Sequence, residues 1–175
     1  MISIIYVVPL ATPKEGSMSY ILRRIPEVFG IPSAPFAPSV DLSGTFDNKR
    51  MQYNSTALLA ELLKVVPEDN AKVVGITDQD LFIPVLTHVF GEAQLGGPVA
   101  VASCHRLRNS FYGLPDDPDT ELLRLEKEVF HELGHTFNLK HCDNYSCVMH
   151  SSTFVEDIDV KFPEYCPTCF SLLER

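Results

Sequence analysis

The sequence has no apolar run long enough to span a membrane, no basic segment ahead of its first apolar stretch, and no cluster of Lys and Arg. The opening, MISIIYVVPLATP, is too short for a transmembrane helix and lacks the positive n-region of a secretory signal. Its alternating Ile, Val and Tyr ahead of Pro9 read as a buried first strand. Nucleic-acid binders carry a basic patch, whereas the net charge here is −9 and the pI about 5. Neither nucleic acid nor a membrane is an expected partner, and the cytoplasm is the expected compartment. Internal repeats and low-complexity segments are also missing. The cysteines number five, an odd count behind no leader segment, which argues against a disulfide framework.

What is present suffices for one folded domain, with room for two lobes. The chain has 175 residues, 45% apolar, with 11 Phe. Strands are expected over 2–8, 71–77, 85–91 and 97–107, and an irregular or edge strand over 34–42. Helices are expected over 17–29, where Pro26 disturbs the pattern, and over 54–66, capped by Asn54 or Ser55. This order implies an α+β or α/β sheet lobe.

A third helix is expected from about Pro118, with Asp117 as its cap. Leu122, Leu123, Leu125, Val129, Phe130, Leu133 and Phe137 fall on one arc that should pack on the sheet. His131 and His135 project from the other side, with Glu128 near them and Glu132 at the border. Beyond residue 138 the chain turns polar and cysteine-rich, and reads as a small irregular lobe covering the histidine side. The expected division within one domain is 1–138 and 139–175.

The stretch HELGHTFNLKHC spans 131–142. Two histidines four apart share a helix face and can bind one zinc ion at about 2.0–2.1 Å each. Glu132 beside them would reach a water on that metal, as general base for metal-assisted hydrolysis. A surface helix with two ordinary histidines is the plain alternative. His141 follows His131 by ten residues, about 15 Å along a continuing helix and out of reach of the same ion. It comes within reach only if the helix stops near 138 and the chain doubles back. A helix ends this way through a residue of positive φ, most often Gly and next Asn, so Asn138 is the expected terminator. The plain alternative is a polar residue within the helix.

Cys142, Cys147, Cys166 and Cys169 fall in the last 34 residues. They suit a closed four-thiolate zinc site, the CxxC pair supplying two ligands from one turn. Such a site would staple a lobe with little core of its own. Four reduced structural cysteines are the alternative. Cys104 is left over in a strand and is expected to be buried rather than reactive.

HELGHTFNLKHCDNYSCVMHSS followed by CPTC resembles the archaemetzincin (archaelysin) branch of the metzincin zinc metallopeptidases. The upstream segment DQDLFIPVLTHVFGEAQLGGPVAVASCHRL is similar to the family as well. Two features depart from the family pattern: Asn138 replaces a glycine, and the interval from Met149 to Cys166 is about one residue short. The resemblance implies a metzincin fold, with a twisted mixed sheet, an antiparallel edge strand and a small irregular C-terminal lobe. It implies a catalytic zinc on His131, His135 and His141, Glu132 as general base, and Met149 as a packing residue beneath the metal. It also implies that an edge strand, expected at 85–91, pairs with extended peptide. His88 on that strand, and His150, are assigned no role.

The resulting expectation is a zinc metallopeptidase with two zinc ions per chain, acting on a peptide or protein, with a monomer as the default state. One alternative is a catalytically weak zinc-binding interaction module of the same fold. A second is a purely structural zinc module in which the HExxH spacing is incidental.

Overall fold

A computed structural model describes residues 1–11, 13 and 16–173 of the chain; residues 174 and 175 of the expected C-terminal lobe lie outside these. In order, the chain forms β1 (Ile4–Pro9), α1 (Ser17–Phe29), β2 (Ser33–Pro35), β3 (Phe46–Asp47), β4 (Gln52–Asn54), α2 (Ser55–Leu63) and β5 (Ala71–Thr77). There follow β6 (Leu81–Phe82), β7 (Gly91–Ala93), β8 (Val99–Ser103), α3 (Pro118–Thr136), α4 (Val155–Asp159) and α5 (Pro167–Leu172). This is a mixed α+β fold.

The main sheet has the order β2-β1-β5-β8-β7. The first four strands are parallel, and β7 alone runs antiparallel, on the edge beside β8. Parallel strands need covered faces, and the side chains of β5 and β8 are buried throughout. With a period of two, Val73, Val99 and Val101 face α2 through Leu58, Leu59 and Leu62. Val74, Ile76, Ala100 and Ala102 face the other way, into a core shared with α1, α3 and the C-terminal segment. A second, three-stranded sheet, β3-β4-β6, lies apart.

Two local expectations are revised. α1 runs unbroken through Pro26, although proline removes one intrahelical donor. The orphaned acceptor four residues back, the Leu22 carbonyl, is taken by the Ser33 hydroxyl at 2.5 Å. The expected strand 85–91 does not form. Leu86 N–H bonds to Ile83 O in a turn around Pro84, and Arg50 Nη1 donates to the Leu86 carbonyl at 3.0 Å. Val85 and Leu86 are left exposed, Val89 makes one isolated bridge to Leu81, and the edge strand is Gly91–Ala93.

Candidate metal and catalytic centre

α3 positions the histidines. Asp117 caps it, its Oδ1 accepting the Thr120 N–H at 3.1 Å, and Pro118 enters its first turn. The expected apolar arc holds for Leu125, Val129, Phe130 and Leu133, all fully buried, but Leu123 is exposed. The polar side is also buried, because the C-terminal segment wraps it. Arg124 forks onto Asp159 with two bonds of 2.7 Å. Lys127 donates to the Ile158 and Asp159 carbonyls. Glu126 accepts from Tyr20 and Arg24 of α1.

The helix ends as the sequence suggests. Asn138 has φ of 67°, in the left-handed region. Leu139 N–H bonds to Gly134 O at 3.0 Å and Asn138 N–H to His135 O at 2.9 Å, the paired bonds of a Schellman turn. The chain then reverses and brings His141 back. The ligand nitrogens of His131, His135 and His141 lie within 4.8 Å of one another, with His131 buried, His135 half-buried and His141 exposed.

Two of these rings are oriented by carbonyls, which can only accept. His131 Nδ1 donates to Val148 O and His135 Nδ1 to Leu139 O, both at 2.8 Å. Each ring therefore presents a bare Nε2, and these two atoms stand 3.1 Å apart. Two nitrogens bound tetrahedrally to one zinc would be about 3.3 Å apart. Burial holds all three imidazoles below the usual histidine range, His131 well below, which favours the neutral form that can ligate a metal. The residues present fit a zinc ion.

Glu132 lies beneath the edge strand. A Cβ on Gly91 would meet Glu132 Cγ at 2.7 Å and Oε1 at 2.8 Å, so only glycine at this point of β7 admits the carboxyl group. One turn earlier on α3, Glu128 hydrogen-bonds Glu132. Burial raises both carboxyl groups above the usual range, Glu132 furthest, with the Glu128 charge adding to the shift. Lys161, from the C-terminal segment, is buried beside them and held below its usual range by that burial.

The four cysteine sulfurs gather within 4.8 Å, and Cys142 Sγ stands 3.8 Å from Cys166 Sγ. Four sulfurs about 2.3 Å from one zinc would be about 3.8 Å apart. The Cys169 N–H donates to the Cys166 sulfur and is the largest influence holding that thiol down to about 7, whereas burial raises Cys147 and Cys169. The two clusters are tied together, since Cys142 N–H bonds to Met149 O and the adjoining Val148 carbonyl orients His131. Met149 is fully buried beneath α3 at Gly134, as a packing residue. Cys104 is buried in the core, immediately after β8.

A cleft of about 540 Å³ opens between β7 with its preceding loop and the 151–153 segment, with His131, Glu132 and His135 in its wall. His88 also lines it, packed edge-on against Phe90 at 5.4 Å. His150 faces elsewhere: its Nδ1 donates to Cys142 O at 2.7 Å, bracing the cysteine loop. Sequence reasoning passed over Gly91, Tyr165 and Lys161. Tyr165 donates its hydroxyl to the Phe130 carbonyl at 2.6 Å, inside the helix it packs on. No periodicity or motif marks any of the three.

Comparison with known proteins places this geometry. The family model described as Peptidase family M54 matches residues 35–175. The chain is 36% identical over 175 residues to the archaemetzincin of Methanocaldococcus jannaschii, covering 99% of this chain and 94% of that one. It is 37% identical over 183 residues to that of Pyrococcus furiosus, covering 100% and 94%. Among solved structures, archaemetzincin from Methanopyrus kandleri superposes with a TM-score of 0.86 at 32% identity, covering 99% of this chain and 94% of that one. Archaemetzincin from Archaeoglobus fulgidus, complexed with malonate, gives 0.82 at 34%, covering 97% and 99%.

Proposed function

This chain belongs to peptidase family M54, with the archaemetzincins, and is a zinc metallopeptidase; from that premise we propose that it cuts peptide bonds with Glu132 as general base. The observation that supports this most directly is the convergence of three imidazoles beside a buried carboxyl group on an open cleft. His131, His135 and His141 would hold the catalytic zinc. When bound, zinc supplies Lewis acidity, lowering the pKa of a water and polarising the scissile carbonyl. Cys142, Cys147, Cys166 and Cys169 would hold a second, structural zinc.

The chain's own residues do the rest. β7 offers an unpaired edge to an extended peptide, which is held through main-chain bonds whatever its side chains. Paired antiparallel, the peptide runs from the Ala93 end toward Gly91, so its leaving segment lies toward His88 and Phe90. Glu132, beneath Gly91, takes a proton from the attacking water and passes it to the leaving amine. Burial raises its carboxyl above the usual carboxylate range, which strengthens it as a proton acceptor. The thiols suit a reducing compartment, which supports the cytoplasm.

The test is a peptide-library digest with zinc-loaded protein, read by mass spectrometry, followed by Glu132→Gln and His131→Ala on a cleaved substrate. Glu132→Gln should keep both zinc ions and lose about 10²–10⁴-fold in rate, whereas His131→Ala should lose zinc as well. Unchanged cleavage by Glu132→Gln refutes the assignment. A parent that holds two zinc ions, binds peptides and cuts none is instead the interaction module.

A further inference from the structure

The site contains more buried charge than the hydrolysis above uses. Glu128, Glu132 and Lys161 are 5%, 5% and 3% exposed. Burying ionisable groups is costly, and apolar residues of similar size would make a more stable core. Arg124 and Lys127 earlier on α3 are explained by their bonds to the α4 end, and Glu126 by Tyr20 and Arg24. Glu128 differs from these three. It lines the cleft, and its hydrogen-bond partner is Glu132.

We propose that Glu128 is a positioning residue for Glu132, holding that side chain in its working conformer beneath the edge strand, with the Lys161 ammonium as counter-charge. The inference rests on the general-base reading of Glu132. Three observations carry it. Positions 128 and 132 are one helical turn apart on one face, where side chains meet. Gly91 closes the other flank, its backbone so near Glu132 Cγ and Oε1 that a methyl group would not fit. Glu132 therefore sits in a slot between the β7 backbone and the Glu128 carboxyl. Lys161 joins the slot to the metal ligands: its Nζ lies 3.5 Å from the Val148 carbonyl, the same oxygen that accepts His131 Nδ1–H.

A positioned carboxylate loses rate when it swings, even if it is still present. A misplacement of about 1 Å costs up to about 100-fold. Glutamine at 128 keeps the length of the side chain and can both donate and accept, so it preserves the contact with Glu132, whereas leucine can do neither.

The experiment compares zinc-loaded Glu128→Leu and Glu128→Gln with the parent. It uses steady-state kinetics, zinc content, and crystal structures read for the Glu132 conformer. Leu at 128 should lower kcat by about 100-fold with KM and zinc content unchanged, and leave Glu132 in more than one rotamer. Gln should recover most of the lost kcat and return Glu132 to a single conformer. The idea is overturned if Leu leaves kcat and the Glu132 conformer as in the parent, or if Gln falls as far as Leu. Should Leu lose zinc or fold, Glu128→Ala, which adds no bulk, takes its place under the same criteria. If the parent cleaves nothing, the general-base reading falls, and the Glu132 conformer alone then decides the positioning role.

Discussion

The sulfur of Met149 occupies the space into which a Cβ on Gly134 would project, and Tyr165 Cε1 lies 3.1 Å from the same point. The glycine of HELGH is therefore a contact point, and its identity is set by what lies beneath the helix. Gly134→Ala should displace Met149 or lift α3, at about 1–3 kcal/mol of overpacking. Thermal unfolding should register the loss, and zinc affinity at the histidines should fall with it, since Val148, adjoining Met149, orients His131. An unchanged Tm and metal affinity would show that the methionine simply moves aside.

Asn138 tests the reversal that delivers His141. Asn138→Gly should be tolerated, because glycine adopts the same φ without strain. Asn138→Val should cost about 1–3 kcal/mol for a β-branched residue held at positive φ. The loss should appear as weaker zinc binding at the histidines, with the cysteine site still filled, in titrations against a competing chelator. Equal zinc affinity in the Val variant would place the turn elsewhere.

Metal removal should occur in two stages. Elemental analysis of zinc-loaded protein should give two ions per chain, one for each cluster. A chelator should first take the ion held by the three histidines, whose third member is exposed. The thiolate-bound ion should leave later, together with loss of fold. All five thiols, the four of the cluster and the buried Cys104, should become titratable by a thiol reagent only in that second stage. A stoichiometry that stays near one after loading refutes the two-site reading.

Asp157 should shape the acid limb of stability. Its Oδ2 accepts the Thr153 and Phe154 N–H groups, each at 2.8 Å, and these bonds hold its carboxyl below the ordinary 3.8. A depressed carboxylate contributes stability above its unfolded pKa and loses it as the pH falls through the folded value. Asp157→Ala should therefore be less stable than the parent at neutral pH, and the difference should close below about pH 3.8. Denaturant midpoints for the two proteins at pH 7 and pH 3 measure this. A gap that stays constant would assign the effect to packing.

The residues that gather at the candidate site were legible because each depends on short-range geometry. Four-residue spacing places His131 and His135 on one helical face, and a residue tolerant of positive φ ends that helix at 138. CxxC brings two thiols together in a single turn. The first strand, both early helices and the Asp117 cap also follow from local patterns. Whether an apolar run becomes a strand was decided by neighbours distant in sequence: Arg50 holds a turn at Leu86, so the run 85–91 failed as a strand and three residues from Gly91 form the edge. The burial of the polar side of α3 was decided in the same way, since it requires Asp159, Ile158 and Lys161 to return across the helix. Glu132 acquires its setting from Gly91, forty-one residues earlier, and His131 its orientation from a Val148 carbonyl that no side-chain pattern announces. Periodicity and spacing record which faces a segment has, and only the tertiary fold decides what each face meets.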